Sequence, residues 1–169
     1  MKRIRLEPPA YQQGYCFSLS IATAGRVPRL TEANTVRLCL DALNETGERY
    51  QTSVFAYCFM PDHLHLLVGI PAGSDLVQFV RHFKQLSAYR FRRECSHVRL
   101  WQTRFYDHAL RSEEKLPNVA RYIWENPVRA GLVENPSDYP HSGSLVWKQA
   151  RQPPPVAGGL QTPASPVGV

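Results

Sequence analysis

No run in this chain of 169 residues approaches the roughly 18 consecutive apolar residues that a membrane-spanning helix needs. The basic start, MKRIRLEPP, is not followed by an apolar stretch, so no secretory signal is expected and the protein is expected in the cytoplasm. No C-x-x-C pair occurs. Cys16, Cys39, Cys58 and Cys95 stand far apart, which argues against a zinc knuckle and against a disulfide framework. Each reads instead as a small buried hydrophobe in a reducing compartment. A G-x-x-x-x-G-K-[ST] loop is missing, so nothing in the sequence would cradle a nucleoside triphosphate. An RNP-type K/R-G-F/Y-G-F run is missing too, which weakens a non-catalytic nucleic-acid-binding module as an alternative function.

What is present is a mildly basic globular sequence. The formal net charge of +6 favours a polyanionic partner, since each Lys or Arg laid on a phosphate releases condensed counterions. The final segment, RQPPPVAGGLQTPASPVGV, holds five of the 14 prolines and no periodic pattern, so residues 149–169 read as a disordered tail after one domain spanning 1–148.

Within that domain the hydrophobic period switches repeatedly. Tyr15–Thr23 (YCFSLSIAT) reads as a strand and Leu30–Leu43 as a helix capped by Thr31. Ser53–Met60 and His63–Ile70 read as strands joined by a Pro61-Asp62 turn. Asp75–Cys95 reads as a second helix, with Asp75 as N-cap and Leu76, Phe79, Val80, Phe83 and Leu86 on its buried face. A strand is expected within Leu100–Leu110, then a helix over Glu113–Asn126 that Pro127 should stop. The order β-α-β-β-α-β plus a final helix predicts an α+β, ferredoxin-like (split βαβ) fold: an antiparallel sheet with helices on one face and the other face free for a ligand.

Chemistry concentrates in two places. In MPDHLHLLV, residues two apart on a strand share a face, so His63 and His65 point together, with Cα atoms roughly 6.5 Å apart, and can bite one metal ion. A pair of surface histidines, or a hydrogen-bonded core histidine, is the ordinary alternative. In VARYIWENPVRAGLV, Tyr122 and Asn126 lie one helical turn apart, so a phenol and an amide oxygen share a face. Asn126 is a candidate third ligand, and a mixed nitrogen–oxygen site with open positions suits Mg²⁺ or Mn²⁺. An amphipathic core tyrosine and a helix-terminal asparagine are the plain alternatives there.

Taken with WQTRFYDHALR and DYPHSG, these segments resemble the single-tyrosine HUH transposases of insertion sequences, most closely the REP-associated tyrosine transposases. The resemblance runs from about Tyr11 to Ser144. It implies that His63, Leu64 and His65 are the His-hydrophobic-His motif, Tyr122 the nucleophile and Asn126 the third metal ligand, where the insertion-sequence branch uses glutamine. It further implies cleavage and rejoining of single-stranded DNA, with hairpins, through a 5′-phosphotyrosine. Free phenols ionise near pH 10, so the nucleophile needs a metal or a nearby cation, and Arg121 and Lys115 are its sequence neighbours. The family includes dimers that exchange the tyrosine helix, so monomer and homodimer both remain open.

Further assignments follow with less support. Tyr106 is a rival nucleophile, but without an amide partner it is assigned, with His108, to packing or DNA contact, and Asp107 is a candidate carboxylate to orient a metal-binding histidine. Arg81, Lys84 and Arg92 form a basic stripe on the second helix, with Arg93 and Arg90 nearby, that suits DNA phosphates, and Arg3, Arg5 and Tyr11 could grip a hairpin foot. A replication initiator or relaxase would need a longer chain, and a metal-dependent hydrolase would leave no covalent adduct.

Overall fold

The computed structural model describes residues 15–110 and 115–147. Arg3, Arg5, Tyr11, the start of the expected helix at Glu113 and the tail 149–169 lie outside the described residues. Five strands form one antiparallel sheet: β1 (Cys16–Ala22), β2 (Ser53–Met60), β3 (His63–Gly69), β4 (Tyr106–Ala109) and β5 (Ser142–Gly143), in the order β4-β1-β3-β2-β5. The first four follow the split βαβ order expected from the sequence.

Alternation sorts the strands onto two faces. Phe17, Leu19 and Ile21 of β1 and Leu64, Leu66 and Val68 of β3 point to one side and are fully buried. They pack under α1 (Ala33–Tyr50) and α2 (Leu76–Glu94), whose inward residues include Cys39, Leu43, Phe79 and Phe83. The other side receives Ser18 and Ser20 of β1 and His63, His65 and Leu67 of β3. A bulge between Val54 and Ala56 changes the phase of β2. It sends Val54 to the helix side while Ala56, Cys58 and Met60 face the histidine side.

That second face is not wholly free. Its β2–β3 half is covered by α3 (Leu116–Trp124), with Ala120, Ile123, Trp124 and Tyr139 packed on Ala56, Cys58, Met60 and Leu67. The Trp124 indole donates to the Gly143 carbonyl at 3.0 Å, fastening α3 to the edge strand. A side chain at residue 143 would meet the Tyr57 hydroxyl at 2.7 Å, so any residue larger than glycine there would have to displace the tyrosine ring. The β1–β4 half keeps the polar surface.

Several boundaries differ from the expected ones, each for a local reason. Leu30 sits in a 3-10 turn (Arg29–Thr31), and Thr31 bonds back to the Pro28 carbonyl at 3.1 Å, so α1 begins later and without a side-chain cap. Asp75 does cap α2, accepting from Val77 N at 2.7 Å and Gln78 N at 3.3 Å. Only the last part of Leu100–Leu110 becomes a strand; Trp101 instead bridges to Thr23 beyond the end of β1. Pro127 does not end the helical path. It opens a further short turn, α4 (Asn126–Arg129), because its missing N–H costs nothing in a first turn.

Candidate active site

The β-hairpin that carries the histidines is pinned at its turn. Thr23, just beyond the end of β1, donates its backbone N–H and its hydroxyl to the Asp62 carbonyl, at 2.9 Å and 3.0 Å. This holds the Asp62 side chain beside the ring that follows it. Its Oδ1 lies 2.6 Å from His63 Nδ1, and its Oδ2 takes Arg26 at 3.3 Å. Burial pushes the Asp62 carboxyl up, but the hydrogen bond and charge of His63, with Arg26, outweigh that and hold it below its ordinary value. A carboxylate on Nδ1 fixes the ring so that the Nε2 lone pair faces outward.

His63 Nε2 and His65 Nε2 converge to 2.9 Å. This is a hydrogen-bond contact between the rings; two nitrogens bound at right angles to one ion at about 2.1 Å would stand about 3 Å apart, so the same separation would let both rings reach one ion. His65 sits in the row between Ser20 and Cys58. Burial, then the charges of His63 and Arg129, lower its pKa to about 4, so it is neutral at physiological pH, the form that ligates. Cys58 is no competitor: burial raises its thiol to about 12 and keeps it protonated.

Among the described residues no group of three or more His, Cys, Asp or Glu side chains could hold a metal. A metal held by the two histidines would therefore need donors of another kind, such as an amide or a phosphate oxygen. Asn126 lies at the start of α4. Its amide nitrogen donates to the Ile123 carbonyl at 3.0 Å, and its Oδ1 accepts from Arg129 at 3.0 Å, leaving one lone pair. The helix logic behind this is simple. Ile123 would ordinarily receive the N–H of residue 127, which is proline, and the Asn126 side chain supplies the missing donor.

Tyr122 is 61% exposed on α3 and borders a cavity of about 440 Å³ with Ser18, His108, Lys115 and Asn118. Ser18 pairs with His108 one row from the Ser20–His65 row, so the phenol lies over the polar half of the same sheet face as the histidines. Of its two sequence neighbours, Lys115 lines this cavity and Arg121 does not.

Tyr106 lies across Ser20 from His65, on the same face, and is half exposed. Asp107 is a correction. It pairs with Leu19 and so belongs to the opposite, helix-covered face, and the carboxylate on the histidine is Asp62. Sequence reasoning placed Asp62 only in the turn; its position immediately before the first histidine was the available signal. Arg26 and Arg129 carried no signal of that kind.

The α2 stripe splits. Arg81, Arg92 and Arg93 are exposed, and Arg81 and Arg92 border a groove of about 940 Å³ shared with Arg99 and Arg104. Lys84 is different. Its ammonium donates to the carbonyls of Gln102 at 2.6 Å and Thr103 at 2.9 Å, tying the 97–105 loop to α2, and burial followed by Arg99 lowers its pKa.

The model of the IS200-like transposases matches residues 9–126, which includes both histidines, Tyr122 and Asn126. The chain belongs to the IS200-like transposase family. Proteins of this family that it is similar to include one from Haemophilus influenzae bearing the name REP-associated tyrosine transposase, 32% identical over 112 residues, 60% of this chain and 64% of that one. An Escherichia coli REP-associated tyrosine transposase is 32% identical over 87 residues, 52% of this chain and 51% of that one. The chain thus spans between half and two thirds of the curated relatives it matches. A REP-associated tyrosine transposase solved with a bound REP hairpin superposes with a TM-score of 0.69, at 24% identity, over 84% of this chain and 82% of that one. A Deinococcus radiodurans protein described as a transposase superposes at 0.52, with 25% identity, over 73% of this chain and 95% of that one. The two likenesses share the fold described above.

Proposed function

We propose that this protein is a single-tyrosine DNA transposase that cleaves and rejoins single-stranded DNA. The observation that carries the reading is the convergence of His63 and His65, ring-locked by Asp62, on the sheet face that Tyr122 overhangs. In the proposed reaction the Tyr122 phenol oxygen attacks the scissile phosphorus in line. The bond to the 3′ oxygen breaks, the phenol proton passes to solvent or a nearby base, and the departing oxygen takes up a proton as a free 3′-OH. The 5′-phosphate stays on Tyr122. Attack by another 3′-OH reverses the step, so joining needs no nucleotide cofactor.

His63, His65 and Asn126 would hold Mg²⁺ or Mn²⁺, which supplies polarisation of the phosphoryl oxygens. Lys115, beside Tyr122 in its cavity, would neutralise a phosphate brought to the phenol. Arg81, Arg92 and Arg93 are proposed to bind DNA phosphates; Lys84 would contribute by holding the loop of the same groove. The partner is single-stranded DNA flanked by hairpins, in the bacterial cytoplasm on the nucleoid. No described helix is long and apolar enough to cross a membrane.

The test is gel separation of end-labelled oligonucleotides with Mn²⁺: a single strand, a hairpin with flanks, and a blunt duplex. An adduct that survives denaturation should form with the first two and vanish in Tyr122→Phe, which still binds DNA. Equal cutting of both duplex strands would instead indicate a metal-dependent nuclease. An adduct retained by the Phe variant would move the nucleophile to Tyr106.

A further inference from the structure

One side chain touches both the tyrosine and the amide of this site. Residues 122, 125, 126 and 129 lie at i, i+3, i+4 and i+7, the spacing of one helical stripe, and the path continues through Pro127 because α4 takes up where α3 ends. Arg129 closes that stripe. Its Cζ lies 3.9 Å from the centre of the Tyr122 ring, a guanidinium stacked on the aromatic face. One terminal nitrogen donates to the Tyr122 carbonyl and, at 3.0 Å, to Asn126 Oδ1. The other reaches Glu125 at 3.2 Å.

We infer that Arg129 is a positioning residue for the reaction, setting the Tyr122 ring and the Asn126 amide with one rigid group. The inference rests on the reading of Tyr122 and Asn126 given above. Two orientations are fixed at once. The amide donates to Ile123 and accepts from Arg129, so both of its ends are held in one orientation. The ring is confined by the plane stacked on it, although Tyr122 is otherwise exposed. Lysine cannot replace this arrangement, because an ammonium has neither the planar face nor the fork that serves three acceptors together. Arg129 is itself 39% exposed, so its role is not that of a core residue.

The experiment compares Arg129→Lys, Arg129→Gln and the unaltered protein in three measurements. Single-turnover adduct formation at saturating DNA and Mn²⁺ should slow about ten- to a hundred-fold in both variants, the size expected for misplaced reacting groups. Affinity for an uncleavable single strand should change less than about threefold, because the reacting groups are misplaced rather than lost. In metal-free protein, the Asn126 side-chain amide resonances should shift and lose protection from solvent exchange in both variants. Wild-type adduct rates in either variant overturn the inference, and so does an unchanged Asn126 amide. Full rescue by Lys also overturns it, since charge alone would then suffice. The amide measurement needs neither metal nor cleavage, so it separates failure of this inference from failure of the Tyr122 reading, which the Tyr122→Phe adduct test decides.

Discussion

The Asp62 carboxylate offers the sharpest perturbation of the histidine pair. It lies 2.6 Å from His63 Nδ1, and its second oxygen holds Arg26 at 3.3 Å. Asp62→Ala removes the acceptor that fixes the ring, frees rotation about the His63 side chain, and leaves Arg26 unpaired. Loss of such an orienting carboxylate typically weakens metal affinity or activity by about 10–100-fold, or about 1.4–2.7 kcal/mol. The Arg26 contact adds little, because that arginine is 61% exposed and solvent screens the pair. Asp62→Asn should fall between the two, since an amide oxygen can still accept from Nδ1 but without the charge. The assay is titration with Mn²⁺ followed by the loss of free-ion electron paramagnetic resonance, run beside adduct formation over the same range. The two variants should raise the Mn²⁺ dissociation constant in the order Ala above Asn, with melting temperature nearly constant. Unaltered Mn²⁺ binding by Asp62→Ala would refute the claim that the carboxylate prepares His63 as a ligand.

Neighbouring substitutions should separate chemistry from stability. His63→Ala and His65→Ala should each abolish cleavage and Mn²⁺ binding while the protein stays folded, whereas Leu64→Asp, on the fully buried face, should prevent folding by placing a charge in the core; circular dichroism and the adduct gel check both. Arg81→Ala and Arg92→Ala should each lower DNA affinity and flatten its salt dependence at constant melting temperature, but Lys84→Met should lower melting temperature by the equivalent of about 1.5–3 kcal/mol, the loss of charge-assisted bonds to two loop carbonyls. Native alkylation followed by mass spectrometry should label exposed Cys95 first and leave Cys58 unmodified, because burial holds that thiol near 12; early labelling of Cys58 would contradict the packing of α3 on β2.

Much of this was legible from the sequence, and the reason differs by element. The strands showed their two faces through alternation alone: C-F-S-L-S-I-A puts Phe17, Leu19 and Ile21 in the core and Ser18 and Ser20 on the polar side. The same period placed His63 and His65 together. What periodicity could not show is the partner of each face. The half of the sheet under α3 is closed by Trp124 and Tyr139, and their attachment depends on hydrogen bonds to Gly143 and to the Phe59 carbonyl, far apart in the chain. Register has the same character. Whether Asp107 reaches a histidine turns on which residue of β1 it faces, and a shift of one position moves every side chain to the other side.

The helix end shows the converse, a local rule read too narrowly. Proline was expected to stop the helix after Asn126, on the ground that the residue before proline avoids the α region. The chain instead restarts a turn at Asn126, with Pro127 in the first-turn position that tolerates it. The consequence is a set of side-chain contacts. Proline leaves the Ile123 carbonyl without its ordinary donor, the Asn126 amide fills that gap, and the amide oxygen is thereby turned toward Arg129. Arg129 in turn caps the Tyr122 carbonyl and covers its ring. A missing N–H in the N-P-V-R segment thus accounts for how Asn126 is held, and Arg129, seven residues beyond Tyr122, ties that amide to the tyrosine.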